Sequence, residues 1–316
     1  MICNKSMSAR ADKTSYFKRL MIDLSKNKIL YLMVLPTIIF YFVFAYVPMY
    51  GVLIAFKDFN ASLGILKSPW AGLKHFKDFF ESVYFGRVMT NTIRISLTNL
   101  LFGFPAPIIF ALLLNEIRSK RAVKTIQTFS YIPHFISLVV ICGMIKQFTN
   151  DNGFINDIIE FFGGERVSML NQPSYFVPLY VISGIWQDMG WTSIIYVSAL
   201  LSIDNSLYEA ATIDGAGRFR QIIHVSLPGI MPTIITMLLM QVGNILNVGY
   251  EKIILMYNPA TYKTADVIST FVYRKGLLEF NLSFSTAVGL FNSVINFCIL
   301  VLANKATKRI VGTSLW

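Results

Sequence analysis

The stretch "SLYEAATIDGAGRFRQIIHVSLPGIMP", Ser206–Pro232, lies between two long apolar segments. It reads as two short polar helices hinged at a glycine. Ser206-Leu-Tyr-Glu209 has the spacing of a capping box, in which hydroxyl and carboxylate satisfy free N–H groups at a helix start. "LYEAATID" continues as helix, with Ala210 and Ala211 giving a small face. Gly215 ends it, because glycine adopts the positive φ that terminates a helix. In "RFRQIIHV", Phe219, Ile222, Ile223 and Val225 oppose Arg218, Arg220 and Gln221. Pro228 suits the first turn of the next helix, where its missing N–H costs nothing. An ordered elbow transmits a motion that a floppy loop would absorb. Docking into a partner and packing on its own chain both remain open at this level.

Outward from the elbow, the chain is a membrane protein. Of 316 residues, 54% are hydrophobic and 14% charged, against about 25% charged in soluble domains. Crossing the hydrocarbon takes about 20 apolar residues of helix. Six segments qualify, at about 29–48, 91–114, 128–148, 175–201, 228–248 and 286–304. Their apolar runs are continuous rather than alternating, which excludes a barrel. The expected fold is all-α and polytopic: one permease domain over 29–316 behind a basic, interfacial segment 1–28. With the N-terminus inside, inner segments carry 16 Lys and Arg in 79 residues and outer loops 10 in 105. This bias puts both termini and the elbow, 202–227, in the cytoplasm. It also accounts for the net charge of +11 without nucleic acid. Arg94 and Lys146 lie where long side chains snorkel to the interface. No apolar core with a cleavage site marks a removable signal peptide. Two amphipathic stretches, around Tyr16, Phe17, Leu20, Met21 and Leu24 and around Phe76, Phe79, Phe80, Val83 and Tyr84, suit either the membrane surface or packing on the spans. Cys3, Cys142 and Cys298 have no paired spacing and read as packing residues.

"EAATIDGAGRFRQIIHVSLPGIMP" resembles the EAA signature of ATP-binding-cassette importer permeases. The matching positions are Glu209, Ala210, Ala211, Gly215, Val225, Leu227 and Pro228, with valine where isoleucine is commoner. Asp214 and Ala216 match the "DGA" form of sugar permeases. "SPWAGLKHFKDFF" and "TNTI" are similar to the maltose-type permeases. "NVGYEKIILMYNPATYKTADVISTFVYRKGL", "FSTAVGLFNSVIN" and the final "SLW" are closer to the LplB-type branch, associated with oligo- and polysaccharide uptake. The resemblance implies a multi-pass subunit of the bacterial cytoplasmic membrane. It makes the elbow a coupling helix, docked in an ATPase through Glu209, Ala210, Ala211, Asp214, Gly215, Ala216, Leu227 and Pro228. It implies a second homologous permease, two ATPase subunits, an extracytoplasmic solute-binding lipoprotein and membrane lipid as partners. ATP and magnesium belong to the ATPase subunits.

No glycine-rich loop ending in Lys-Ser/Thr is present, so this chain is not expected to hydrolyse ATP. His75, His134 and His224 lack metal-ligand spacing, and no serine has a nucleophile's context. Neither a metal, a bound cofactor nor an enzyme activity is expected. For a substrate path, span five offers Gln241, Asn244, Asn247 and Tyr250, each three residues from the last and so on roughly one helical face. Span six offers Asn292 and Asn296, and span four Trp186 and Trp191 around Asp188. Polar groups avoid lipid, so these face the bundle or a watery path. Bridging between helices is the competing role. Asp188, an acid deep in an apolar run, would pair with a partner's base or lie nearer the outer edge. A non-sugar solute remains an alternative cargo. An ion-coupled transporter would need more buried acids or repeated halves than appear here, and a non-transporting sensor would show no flux.

Overall fold

The computed structural model describes residue 21 and residues 23–310. Cys3, Tyr16, Phe17, Leu20 and the terminal "SLW" lie outside them. The described residues are almost entirely helical; the only β contact among them is an isolated bridge between Lys57 and Trp70. The elements used below are α1 Lys28–Phe56, α2 Lys74–Glu81, α3 Phe85–Asn115, α4 Lys120–Phe135, α5 Leu138–Thr149, α6 Phe154–Phe161 and α7 Pro173–Leu201. They continue with α8 Asn205–Ile213, α9 Arg218–Val242, α10 Tyr250–Met256, α11 Tyr262–Ala265, α12 Ile268–Tyr273 and α13 Leu282–Arg309.

Of these, α1, α3, α9 and α13 are long and apolar enough to cross a membrane. Residues through Leu53 form one compact unit and Ile54 onward a second. In the first, no described residue is buried and α1 is apolar around its whole circumference, the signature of a helix made for lipid or another apolar surface.

Three of the long helices share a device. Proline has no N–H and its ring presses on the carbonyl four residues back. In α1, α3 and α9 one turn widens ahead of Pro48, Pro105 and Pro228. The residue before each proline then donates five residues back: Val47 to Phe42, Phe104 to Asn99 and Leu227 to Ile222. The wide turn absorbs the proline without ending the helix.

Two expected boundaries are corrected. The segment at 128–148 is not one straight helix: α4 and the helical stretch after it meet at 98°. Pro133 tightens the chain into a 3-10 turn at Ile132–Phe135, and Ser137 caps the new helix by accepting from the Val140 N–H. The span expected at 228–248 is α9, which starts ten residues earlier and stops at Val242.

The core lies in three clusters. One joins Ile95 of α3 and Phe176, Val177 and Val181 of α7 to Ile253 and Met256 of α10. Another joins Ile108 and Ala111 of α3 to Tyr196 and Leu200 of α7 and Ile230 of α9. The third seats Phe79 of α2 on Phe271 and Phe284. That settles Phe79 as a packing residue, whereas Val83 beside it is 89% exposed. Helices α4 and α7 meet where Gly190 touches the Ser130 backbone; a Cβ there would overlap it.

Candidate functional site

The elbow is a braced structure. Its first helix is capped by Asp204, not by Ser206 and Glu209: Asp204 Oδ1 accepts the Ser206 N–H at 2.9 Å. A carboxylate two residues earlier meets a free N–H at the helix start and also complements the helix dipole. The Ser206 N–H holds the Asp204 carboxyl below its ordinary pKa. Glu209 is thereby left exposed. At the other end Gly215 takes φ +75°. Ala216 N–H donates to Ala211 O at 2.8 Å and Gly215 N–H to Thr212 O at 3.0 Å, the two bonds of a Schellman motif. Gln221 Nε2 donates to Thr212 Oγ1 and to Ala216 O, both at 3.0 Å, tying α9 to α8. Tyr208 and Ser226 join the same elements through their hydroxyls at 2.9 Å. Ala210, Asp214 and Pro228 are exposed, and Ala211, Ala216 and Leu227 half-buried. Ile213 and Phe219, at 87% and 73% exposure, are bare apolar tips that the described residues leave uncovered.

Between the first two core clusters lies a cavity of about 570 Å³. Its main wall is one stripe of α7 in which every fourth residue lines the space: Tyr180, Gly184, Asp188, Thr192 and Tyr196. Fourfold spacing keeps them on one face, over about 24 Å at 1.5 Å per residue. Asn99, Gly103 and Pro107 form the facing stripe of α3, and Met237 and Gln241 that of α9. A second space of about 390 Å³ shares Asn99, Tyr180, Met237 and Gln241 and adds Asn244 and Asn247. Polar groups at intervals along apolar and aromatic walls offer hydrogen bonds and ring faces without closing on a rigid ligand.

The expected substrate residues fall into three groups. Gln241, Asn244, Asn247 and Tyr250 do line these cavities, but not as one helical face. Helix α9 ends at Val242, 243–246 are turns, and Tyr250 opens α10. Asn292 and Asn296 are buried bridges: Asn292 Nδ2 donates to Asn247 Oδ1 at 2.8 Å, and Leu246 N–H to Asn296 Oδ1 at 3.0 Å. Trp186 lines a separate apolar cavity with Met144 and Ile145. Trp191 stacks on His134, centroids 4.7 Å apart. Asp188 pairs with His134 Nδ1 at 2.9 Å in the same chain, whereas the sequence points to a partner's base or a place nearer the outer edge.

The sequence reading missed the fourfold Tyr-Gly-Asp-Thr-Tyr ladder and Lys252. The ladder is visible as spacing, but residue type draws attention to Trp186, Asp188 and Trp191 instead. It also missed the buried carboxylate Asp266, which accepts from Arg87 Nη2 at 2.9 Å and Arg274 Nη2 at 2.8 Å. Only a fold brings residues 87 and 266 together.

Residues 103–312 match the family model described as "Binding-protein-dependent transport system inner membrane component". The chain is 43% identical to the polygalacturonan/rhamnogalacturonan transport system permease protein YteP of Bacillus subtilis (strain 168), over 92% of this chain and 91% of that one. Protein LplB of the same organism is 43% identical with the same coverage. Among solved structures, a bacterial ABC transporter involved in the import of the acidic polysaccharide alginate contains a chain of 44% identity and TM-score 0.86. That match covers 93% of this chain and 99% of that one. The chain belongs to the binding-protein-dependent inner membrane component family, as an ABC permease subunit that carries no catalytic activity of its own.

Proposed function

We propose that this chain forms part of the translocation path of an ATP-driven importer of polysaccharide-derived oligosaccharides. It is a single permease domain of six spans in the bacterial cytoplasmic membrane, with both termini and the elbow in the cytoplasm. The spans are α1, α3, the bent pair that begins with α4, α7, α9 and α13. It works beside a second permease, with two ATPase subunits docked below and a solute-binding lipoprotein delivering cargo from outside. The names of the relatives support a saccharide cargo.

One observation carries the mechanism. Helix α9 runs unbroken from Arg218 in the elbow to Met237 and Gln241 in the cavity wall, about 35 Å at 1.5 Å per residue. A displacement of the elbow is therefore a displacement of the wall. The Schellman turn and the Gln221 brace make α8 and the start of α9 move together. Ile213 and Phe219 supply the apolar contact, and Glu209 and Asp214 the polar rim, for an ATPase cleft. ATP-driven closure of the ATPase pair would swing α9 and open the cavity outward; hydrolysis would release it inward.

Gentle affinity purification of the tagged chain from native membranes, followed by mass spectrometry, tests the assembly. Recovery of a second permease, an ATPase and a binding lipoprotein is expected. The chain emerging alone would contradict it.

A further inference from the structure

Lys252, on α10, is 8% exposed, and what remains open lines the 570 Å³ cavity. Its Nζ donates to Tyr180 O at 3.1 Å and lies 5.0 Å from the centre of the Tyr180 ring. Gly184 makes room for it, since a Cβ there would stand 3.4 Å from Nζ. Among the described residues Lys252 has no other hydrogen bond and no ion pair. An ammonium carries three donors, so a single carbonyl leaves capacity unused. A buried cation is ordinarily matched by an acid, and here no described acid lies within ion-pairing distance. Asp188 lines the same cavity farther along α7 but is engaged with His134. Glu251, the neighbouring acid, also lines the cavity, but it is exposed and makes no ion pair with Lys252.

We propose that Lys252 is an anion-binding group in the wall of the translocation cavity, placed to hold a sugar carboxylate and so to favour acidic over neutral saccharides. The proposal rests on the reading of this cavity as a saccharide path. The wall around the lysine fits a ligand that is mostly hydroxyl and in one place anionic. Gln187, Gln241 and the carboxylates Asp188 and Glu251 offer hydrogen-bond partners to hydroxyl groups, whereas Lys252 is the one cation lining the cavity among the described residues. A purely structural role, fastening α10 to α7 through the Tyr180 carbonyl, makes a different prediction: its loss weakens the fold without regard to ligand charge.

The experiment uses the assembled complex of permeases and ATPases without its binding protein, so that the binding protein's own selectivity does not enter. Trigalacturonate, its fully methyl-esterified form and maltotriose are titrated against wild type, Lys252→Met and Lys252→Arg, with ligand-induced thermal stabilisation as the readout. Wild type should bind trigalacturonate and respond far less to the two neutral probes. Lys252→Met should weaken trigalacturonate binding on the order of tenfold or more, the loss expected for a charged hydrogen bond. Lys252→Arg should retain most of it. Equal loss for all three probes, or unchanged trigalacturonate binding in Lys252→Met, overturns the proposal. So does a wild type that binds neutral and acidic probes alike. Failure of wild type to bind or import any saccharide, with the binding protein restored, removes the saccharide reading itself.

Discussion

Asp266 is the most consequential buried charge outside the cavity. It is wholly buried, between α11 and α12, and binds Arg87 of α3 at 2.9 Å and Arg274 at 2.8 Å. Thr270 Oγ1 donates to its carboxylate at 3.0 Å, and Asn91 Nδ2 donates to its backbone oxygen at 3.0 Å. The arginines lean on Tyr84 and Tyr262, 5.1 and 5.2 Å from the ring centres. Asp266→Asn keeps the shape and removes the charge, so two guanidinium groups face each other across a neutral amide. Breaking a buried pair costs about 3–5 kcal/mol. The two arginine side chains retain 32% and 20% exposure, so water relieves part of the loss and the lower end, about 3 kcal/mol, applies. At about 2 °C per kcal/mol that is a fall in Tm of about 6 °C. Thermal unfolding of the purified complex, followed by tryptophan fluorescence, measures it. Removing Arg87 as well should cost less than the sum of the two single changes, because the second change relieves a charge the first left unpaired. A fall of less than about 2 °C, or strict additivity, would refute the reasoning.

Gly215→Asp should leave the complex assembled at normal levels while abolishing uptake. Its φ of +75° costs Asp some backbone strain, though Asp is among the residues that occasionally adopt it, and no described atom outside its neighbours lies within 4 Å of a Cβ there, so the added bulk and charge fall mainly on a docked partner. Normal uptake at normal membrane levels would sink the coupling role. Gly190→Ala pushes a methyl group onto the Ser130 backbone and should lower stability by about 1–3 kcal/mol, as overpacking does, read in the same melt; an unchanged Tm would mean that α4 and α7 are free to part. The Asp204 cap stabilises α8 above the ordinary carboxyl pKa of 3.8 and loses that effect as pH falls through its lowered folded value. Protection of the α8 amides, taken relative to their intrinsic exchange rate, should therefore fall in acid in wild type, and Asp204→Asn should show no such step.

Much of the architecture was legible because lipid imposes one strong rule, long apolar helices, and the elbow's Gly215 and flanking basic residues obey local rules. Its brace was not legible: Gln221 reads as the polar side of an amphipathic helix, and only the turn at Gly215 brings it onto Thr212. The cap was misplaced by two residues because Asp204 and Ser206 both favour that position. Helix α9 was begun too late because proline usually marks a helix start, and the widened turn before Pro228 overrides that. In the cavity, threefold spacing predicted one face for Gln241, Asn244, Asn247 and Tyr250. The chain turns after Val242 instead, yet it still delivers all four to the cavity walls. Lys252 was hidden because a lysine in a loop between spans is ordinarily a solvated charge, and its burial depends on Gly184 and Tyr180, some 70 residues away.

The central claim is that the elbow docks on an ATPase and moves the cavity wall. The direct measurement places a photo-reactive benzophenone side chain at Ile213, at Phe219 and, as a control, at Val83, and irradiates native membranes. A crosslink from Ile213 and Phe219 to an ATP-binding-cassette ATPase, and none from Val83, is expected. Crosslinks from Ile213 and Phe219 only within the chain, or an ATPase captured from Val83, would contradict it.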